Sequence, residues 1–370
     1  MKENKLSGTD SLRLKGVAVI LMLMHHLFAN TSVCQEYGVI YLWVPEKIIT
    51  QIAWFGKECV AIFAFISAYG LTLNYINSKN TTTNQWCINR LLKLYKGYWF
   101  IYIFSGLVAI VAKYNPYYCD KTLVSYVYGI IDFFGINNVF RTPSLNGAWW
   151  YMEVAIEVIL LIPLATVLFA KMGCVPTLLI TLLVSKILGV NLEFLPSNGN
   201  NSFVAFFLII MLGISCAKFN LINKIIQLFS SKSIFYRFLL CIINTALLFV
   251  MFKLYITLPA NIFYDINYGL TSFILIIWLK LYIINIPLLK QALLVIGENS
   301  MNIFLIHIFI RSIYAANLTF SFKYWELILL FLLVSSLLIS ILLDFLKKLL
   351  HYNEVIDKLF NILKRVTTTQ

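Results

Sequence analysis

The sequence predicts an all-α integral membrane protein, a bundle of about ten transmembrane helices with both termini in the cytoplasm. Three observations carry this. Hydrophobic residues make up 61% of the 370 residues and charged residues only 12%, with a mean hydropathy of +0.84. A soluble domain is typically about 25% charged, and no water-soluble fold could hide so much apolar surface. The apolar residues fall in non-alternating runs of about 17–25, the length that crosses a bilayer as a helix. Lys and Arg cluster between the runs. The net charge of +13 therefore reads as positive-inside loops and not as a nucleic-acid surface.

In chain order the runs give spans at 14–33, 51–76, 97–113, 149–170, 175–190, 202–218, 236–257, 267–284, 294–314 and 325–346. No small-residue cleavage site follows Leu14–Ala29, so the first run is expected to stay as a helix. The segment 122–136 holds Ser125, Tyr126, Tyr128, Gly129 and Asp132, and is too short and polar for a span. If it crossed, the basic cluster from Lys218 to Arg237 would fall outside, against the positive-inside bias. Residues 114–148 are therefore expected as one large outer loop, with 122–136 interfacial or dipping in. Residues 1–346 form the transmembrane domain. The tail 347–370 reads as a cytoplasmic amphipathic helix with Leu349, Leu350, Val355, Ile356, Leu359, Phe360 and Leu363 as its apolar stripe. No internal repeat or separate soluble domain is visible. The seven cysteines contain no C-x-x-C pair, which leaves a disulfide framework or a metal site without support.

Ionisable side chains within a bilayer are costly and mark function. The first run reads S-L-R-L-K-G-V-A-V-I-L-M-L-M-H-H-L-F. Lys15 stands near its start, and His26 lies eleven residues on, about 16 Å deeper and near mid-membrane. His25 and His26 point about 100° apart, so only one is expected to face a given cavity. A phosphate-rich donor such as an acyl-CoA needs cations at its entry and a base near its thioester; this helix offers both in line. The plain alternative is a Lys15 that snorkels to the headgroups and histidines that pack structurally.

Arg90 and Lys93, in I-N-R-L-L-K-L-Y-K, share a helical face and suit a phosphate clamp, or are ordinary positive-inside charge. The fourth span carries Glu153 and Glu157, four apart on one face. Either could orient a histidine and stabilise its imidazolium, so a base–orienter dyad of His26 with one of them is expected. The alternative for Glu153 is a place in water near the outer interface. The ninth span carries Asn299, Ser300, Asn302 and His307, with Arg311 one turn further. For Ser67, Asn299 and Asn302 the simplest reading is interhelical hydrogen bonding.

Several of these segments, taken in order, resemble the large bacterial membrane acyltransferase family, acyltransferase family three. Lys15-Gly16 followed by an apolar run to His26 is similar to that family's opening motif, with Lys for the more usual Arg, and favours His26 over His25. Phe63–Leu71 is similar to F-x-x-S-G-[FY], with Ala68 in place of Gly. Arg90-Leu-Leu-Lys93 resembles R-x-x-R, again with one Lys, and lacks the usual following proline. Trp150-Tyr-Met with Pro163 resembles W-[FY]-L…P, with Glu153 where a small residue is common. Gly297–His307 resembles G-x-x-S-x-x-I-[YF]-L-x-H. The likeness runs over about residues 10–346.

The resemblance implies transfer of an acyl group, usually acetyl from acetyl-CoA, to a hydroxyl of a surface carbohydrate or its lipid-linked precursor, in the bacterial inner membrane and without a metal. In that reading His26 is the general base or relays the acyl group. Glu153 or Glu157 orients a histidine, and His307 completes the polar lining. Lys15, Arg90 and Lys93, with Arg13, hold the donor phosphates, while Ser67, Tyr69, Trp150, Asn299 and Ser300 line the substrate path. Acyl-CoA, a glycan acceptor and membrane lipids are the expected partners, with no nucleic acid. Two other classes use similar residues. A secondary transporter would show inverted repeats and broken helices at matching positions, which are not visible. A non-catalytic membrane component of polysaccharide assembly would release no CoA.

Overall fold

The computed structural model describes residues 6–117, 123–190, 203–230, 233–258, 263 and 265–368. The long helices in chain order are α1 (Gly8–Phe28), α2 (Glu46–Phe55), α3 (Glu58–Asn77), α4 (Thr83–Val111), α5 (Leu123–Phe133), α6 (Tyr151–Met172), α7 (Cys174–Val190), α8 (Phe203–Phe219), α9 (Leu221–Ser230) and α10 (Ile234–Thr257). They continue as α11 (Asp265–Ile283, with π-helical ends), α12 (Lys290–Glu298), α13 (Ser300–Ile308, running on as π-helix Phe309–Tyr314), α14 (Trp325–Leu349) and α15 (Tyr352–Thr368). Among the described residues there is no strand, only an isolated bridge between Ile40 and Tyr324.

Among the described residues, seven helices can cross a membrane by length and apolar composition, or nine if α8–α9 and α12–α13, bent by 78° and 68°, each count once. The remaining segment read from sequence, 175–190, falls on α7, an apolar helix of 17 residues. The segment 122–136 holds α5, whose 11 residues reach only about 16 Å, too short to span. The first span stops earlier than read, at Phe28, and Asn30 then caps a separate short helix, Thr31–Glu36.

Glycines set how closely the central helices approach. A β-carbon on Gly16 of α1 would lie 2.2 Å from the Leu293 carbonyl oxygen of α12, and one on Gly297 would lie 1.8 Å from that of Leu12. The two backbones therefore touch, as small residues allow in membrane bundles. On its other side α1 meets Gly56, between α2 and α3, where a β-carbon would lie 2.5 Å from the Leu21 oxygen. Gly213 of α8 likewise admits the Phe65 backbone of α3. The first turn of α1 carries a Ser7–Asp10 capping box, and Asp10 forms an ion pair with Lys280 of α11 at 2.6 Å. The axial position of α1 is thereby fixed from both ends.

The segment read from sequence as an outer loop is tied to the bundle by polar contacts. Asp132, fully buried, accepts hydrogen bonds from Tyr117 Oη (2.7 Å), Ser144 Oγ (2.8 Å) and Leu145 N (2.7 Å). Burial pushes its carboxyl up, and those three donors oppose the shift. Asn146 and Trp149 both donate to the Leu305 carbonyl, each at 3.0 Å, just before α13 turns π-helical. The tail α15 folds back on α4: Tyr352 Oη donates to the Lys96 carbonyl, Asp357 pairs with Lys96, and Phe360 packs on Trp99. Of the tail stripe, Phe360 is buried in the bundle, whereas Val355 and Leu359 stay half exposed; the Leu363 side chain lies outside the described residues.

A histidine pair beside an intramembrane cavity

Capping, glycine contacts and the α12–α13 bend bring the last turn of α1 against α13. There the rings of His26 and His307 lie 4.8 Å apart, tilted by 48°. His307 is completely buried. Its Nδ1 lies 3.1 Å from the Ile303 oxygen and 2.9 Å from the Phe304 oxygen. Both partners only accept, so Nδ1 must carry the proton and Nε2 presents a lone pair. That Nε2 is buried without a partner. His25 Nδ1–H donates to the Ala53 carbonyl at 2.9 Å by the same logic. His26 is held by no hydrogen bond to a described residue.

A cavity of about 280 Å³ opens beside His26; His307, packed behind it and fully buried, is not in the wall, so the expected part of His307 in the polar lining is not found. Its walls include His25 and His26 from α1, Lys57 and Cys59 from the start of α3, and Trp150 and Tyr151 from the start of α6. Both adjacent histidines line it, contrary to the sequence expectation. The cavity wraps the end of α1, so two directions about 100° apart reach the same space. The histidines also sit nearer the C-terminal end of α1 than its middle. Past the His25–Ala53 contact, α2 continues seven residues to Glu46, about 10 Å.

The two candidate acids occupy different surroundings. Glu153 accepts from Asn138 Nδ2 at 2.9 Å, and Glu157 keeps a buried, unpartnered Oε2. Neither bonds His26 or His307, so the expected base–orienter dyad is not formed. Backbone carbonyls of α13 orient His307 instead. Tyr151 Oη is buried and unpartnered on the cavity wall, within interaction reach of Ser67. Tyr69 packs against Phe65 and, with Asn299 and Ser300, is not part of the histidine cavity.

Those two polar residues belong toward the opposite end of the bundle. Asn299 accepts from Ser340 Oγ at 2.8 Å, and Asn302 links Asp344 to Lys347. A second cavity of about 460 Å³ opens there, between α4, α14 and α15, with Lys93, Lys96 and Lys347 in its wall. Lys15 is close enough to Lys93 for their charges to repel. Arg90 lies over Trp86 at 6.0 Å, and Arg13 is turned to Asn285 at 2.9 Å. The cations of α1 and α4 are thus brought to one end, joined by Lys96 and Lys347.

Sequence reading missed Lys57, Glu58 and Tyr151. The signal was present: Lys57 and Glu58 stand side by side within the apolar run 51–76, where any charge is exceptional. Glu58 is completely buried and bonded to Ser272 Oγ of α11.

Among the described residues, an all-helical, multi-pass bundle carries adjacent histidines at one cavity and lysines at another, the makings of a polar site inside a membrane protein. The family model of the acyltransferase domain, acyltransferase family 3, matches residues 13–345, and the chain belongs to that family. It is a multi-pass membrane acyltransferase. No curated protein and no solved structure matches the chain.

Proposed function

We propose that this acyltransferase takes an acetyl group from acetyl-CoA and places it on a hydroxyl of a surface polysaccharide or its lipid-linked precursor, in a bacterial inner membrane. The single observation that carries the proposal is the His26 ring on a cavity wall, about 16 Å along α1 from Lys15 at the cationic end. That length suits a donor whose phosphates stay at Lys15, Lys93, Lys96 and Lys347 while its thioester reaches inward. Lysine binds phosphate as a point charge without the bidentate fork of arginine. With the positive-inside rule, the lysine end is cytoplasmic and the histidine cavity faces the outer half.

In this mechanism the imidazole of His26 takes the proton of the acceptor hydroxyl as its oxygen attacks the thioester carbonyl. The tetrahedral intermediate collapses with cleavage of the carbon–sulfur bond. The imidazolium returns the proton to the leaving thiolate, giving the ester and free CoA. Tyr151 Oη stands on the same wall as a donor for the transient oxyanion. His307 supports His26 through its lone pair at Nε2.

Purified protein in lipid nanodiscs, given acetyl-CoA labelled in the acetyl group and bacterial glycan, should release CoA and label the glycan. His26→Ala should abolish both with expression and monodispersity intact. Full activity in that variant removes His26 from the mechanism, and a wild-type protein that releases no CoA removes the enzymatic reading.

A further inference from the structure

Lys57 closes the histidine cavity from the side of α3. Its ammonium makes no hydrogen bond or ion pair with a described residue, and sits 5.6 Å from the ring centre of Tyr268. Glu58 attracts it, yet that carboxylate is bonded to Ser272 and is not part of the cavity wall. A second cation, Arg311, lies within electrostatic reach of His25, His26 and His307, and its Nε is buried without a partner. The other nearby acid, Glu153, is bonded to Asn138.

Backbone dipoles add to this field. Lys57 is the N-cap residue of α3, and the turn Gly147–Trp150 that opens α6 also lines the cavity. Both helices present their positive ends here, opposed by the negative ends of α1 and α2, which finish at Phe28 and Phe55. At Gly147 there is open space, since a β-carbon would meet nothing within 4 Å. An ammonium without a direct ion pair to a described residue is costly at membrane depth, and intramembrane charges of this kind mark function.

We infer that the histidine cavity is an anion subsite, in which Lys57, with Arg311 within electrostatic reach, binds a phosphate or carboxylate carried by the acceptor. The acceptor class is then an anionic glycan or glycolipid and not a neutral sugar. The word acceptor rests on the acyl-transfer reading above; the anion site does not. Held at Lys57, the anion places a hydroxyl of the same sugar near the His26 ring and lowers the positive potential at the base before it takes a proton. Phosphate and carboxylate share this chemistry, and the choice of probe separates them.

Full-length protein in nanodiscs is titrated calorimetrically with glucose 1-phosphate, glucuronate and glucose. At least one anion should bind about tenfold more tightly than glucose. The preferred anion tells a phosphate-bearing acceptor from an acidic sugar. Lys57→Gln should weaken anion binding by about tenfold, the loss of one charge-assisted hydrogen bond, while Lys57→Arg retains most of it. Should Lys57→Gln not fold, Arg311→Gln supplies the comparison, with anion binding weakened and glucose binding unchanged. Absence of anion binding by the wild type, glucose binding as tight as both anions, or full anion affinity in the folded Gln variants overturns the inference. CoA release is measured on the same samples. Release without a Lys57-dependent anion site sinks only this inference. A Lys57-dependent site in protein that never releases CoA sinks acyl transfer and leaves the anion site standing.

Discussion

Gly16 and Gly297 are reciprocal: each lies where its helix meets a backbone carbonyl of the other, at Leu293 and Leu12 respectively. The pair locks α1 to α12, and through the α12–α13 bend it fixes the distance from His26 to His307. Adding a β-carbon to either must push the helices apart. Gly16→Ala and Gly297→Ala should each destabilise the protein by about 1–3 kcal/mol or more, the usual cost of overpacking. Thermal unfolding in nanodiscs checks this. CoA release by the folded fraction should also fall, because the two histidines are carried on the helices that separate.

Losing the base should cost more than losing its neighbour. His26→Ala is expected to lower the turnover number about 10²–10⁴-fold, the range of general acid–base catalysis. His307→Ala should lower it less and leave the KM for acyl-CoA unchanged, because His307 stands away from the lysine cavity. Steady-state kinetics on both variants separate the roles. A raised donor KM in His307→Ala would place the donor phosphates elsewhere.

At the other end the split should reverse. Lys93→Gln combined with Lys96→Gln should raise the KM for acyl-CoA about tenfold with little change in turnover number, since phosphate contacts bind ground and transition states alike. The effect should shrink in high salt, which screens exposed charges.

Asp357 bonds Lys96 at 2.7 Å, so in the proposed donor site it would compete with phosphate for that ammonium. Its side chain is 60% exposed, so the pair adds little to stability. Asp357→Asn should shift the unfolding temperature hardly at all and lower the acyl-CoA KM slightly. Direct measurement of both quantities tests this, and a large fall in stability would show the pair to be structural.

The segment around α5 depends on a single carboxylate. Asp132→Ala removes the acceptor for Tyr117, Ser144 and Leu145 N, all in a buried site. The expected loss is about 2–4 kcal/mol, with faster proteolysis between residues 114 and 148. Limited proteolysis with mass spectrometry reads that exposure.

Much of the architecture was legible because a bilayer imposes simple rules. An apolar run of sufficient length has one stable form in lipid, so nine of the segments read from sequence fall on helices or bent pairs long enough to cross. The shortness of 122–136 was equally readable from its polar content. Less was legible at the site. Lys15 and His26 share one helix, and their separation follows from helical rise alone. The approach of His307 depends on a bend at Asn299, between α12 and α13, and no periodicity announces a bend. Lys57 was overlooked because its run reads as uniformly apolar around it, although its charge was visible.

By itself, then, the sequence determined the class of protein, its helices and the position of His26 along α1, because hydropathy and helical rise are local properties. Only the tertiary structure decided which polar groups meet. It seated His307 beside His26, kept Glu153 on Asn138, and turned Lys57 into the wall of the same cavity. The physical reason is that such encounters depend on glycine contacts, caps and bends between distant segments, each worth a fraction of the whole and none expressed in the hydrophobic pattern.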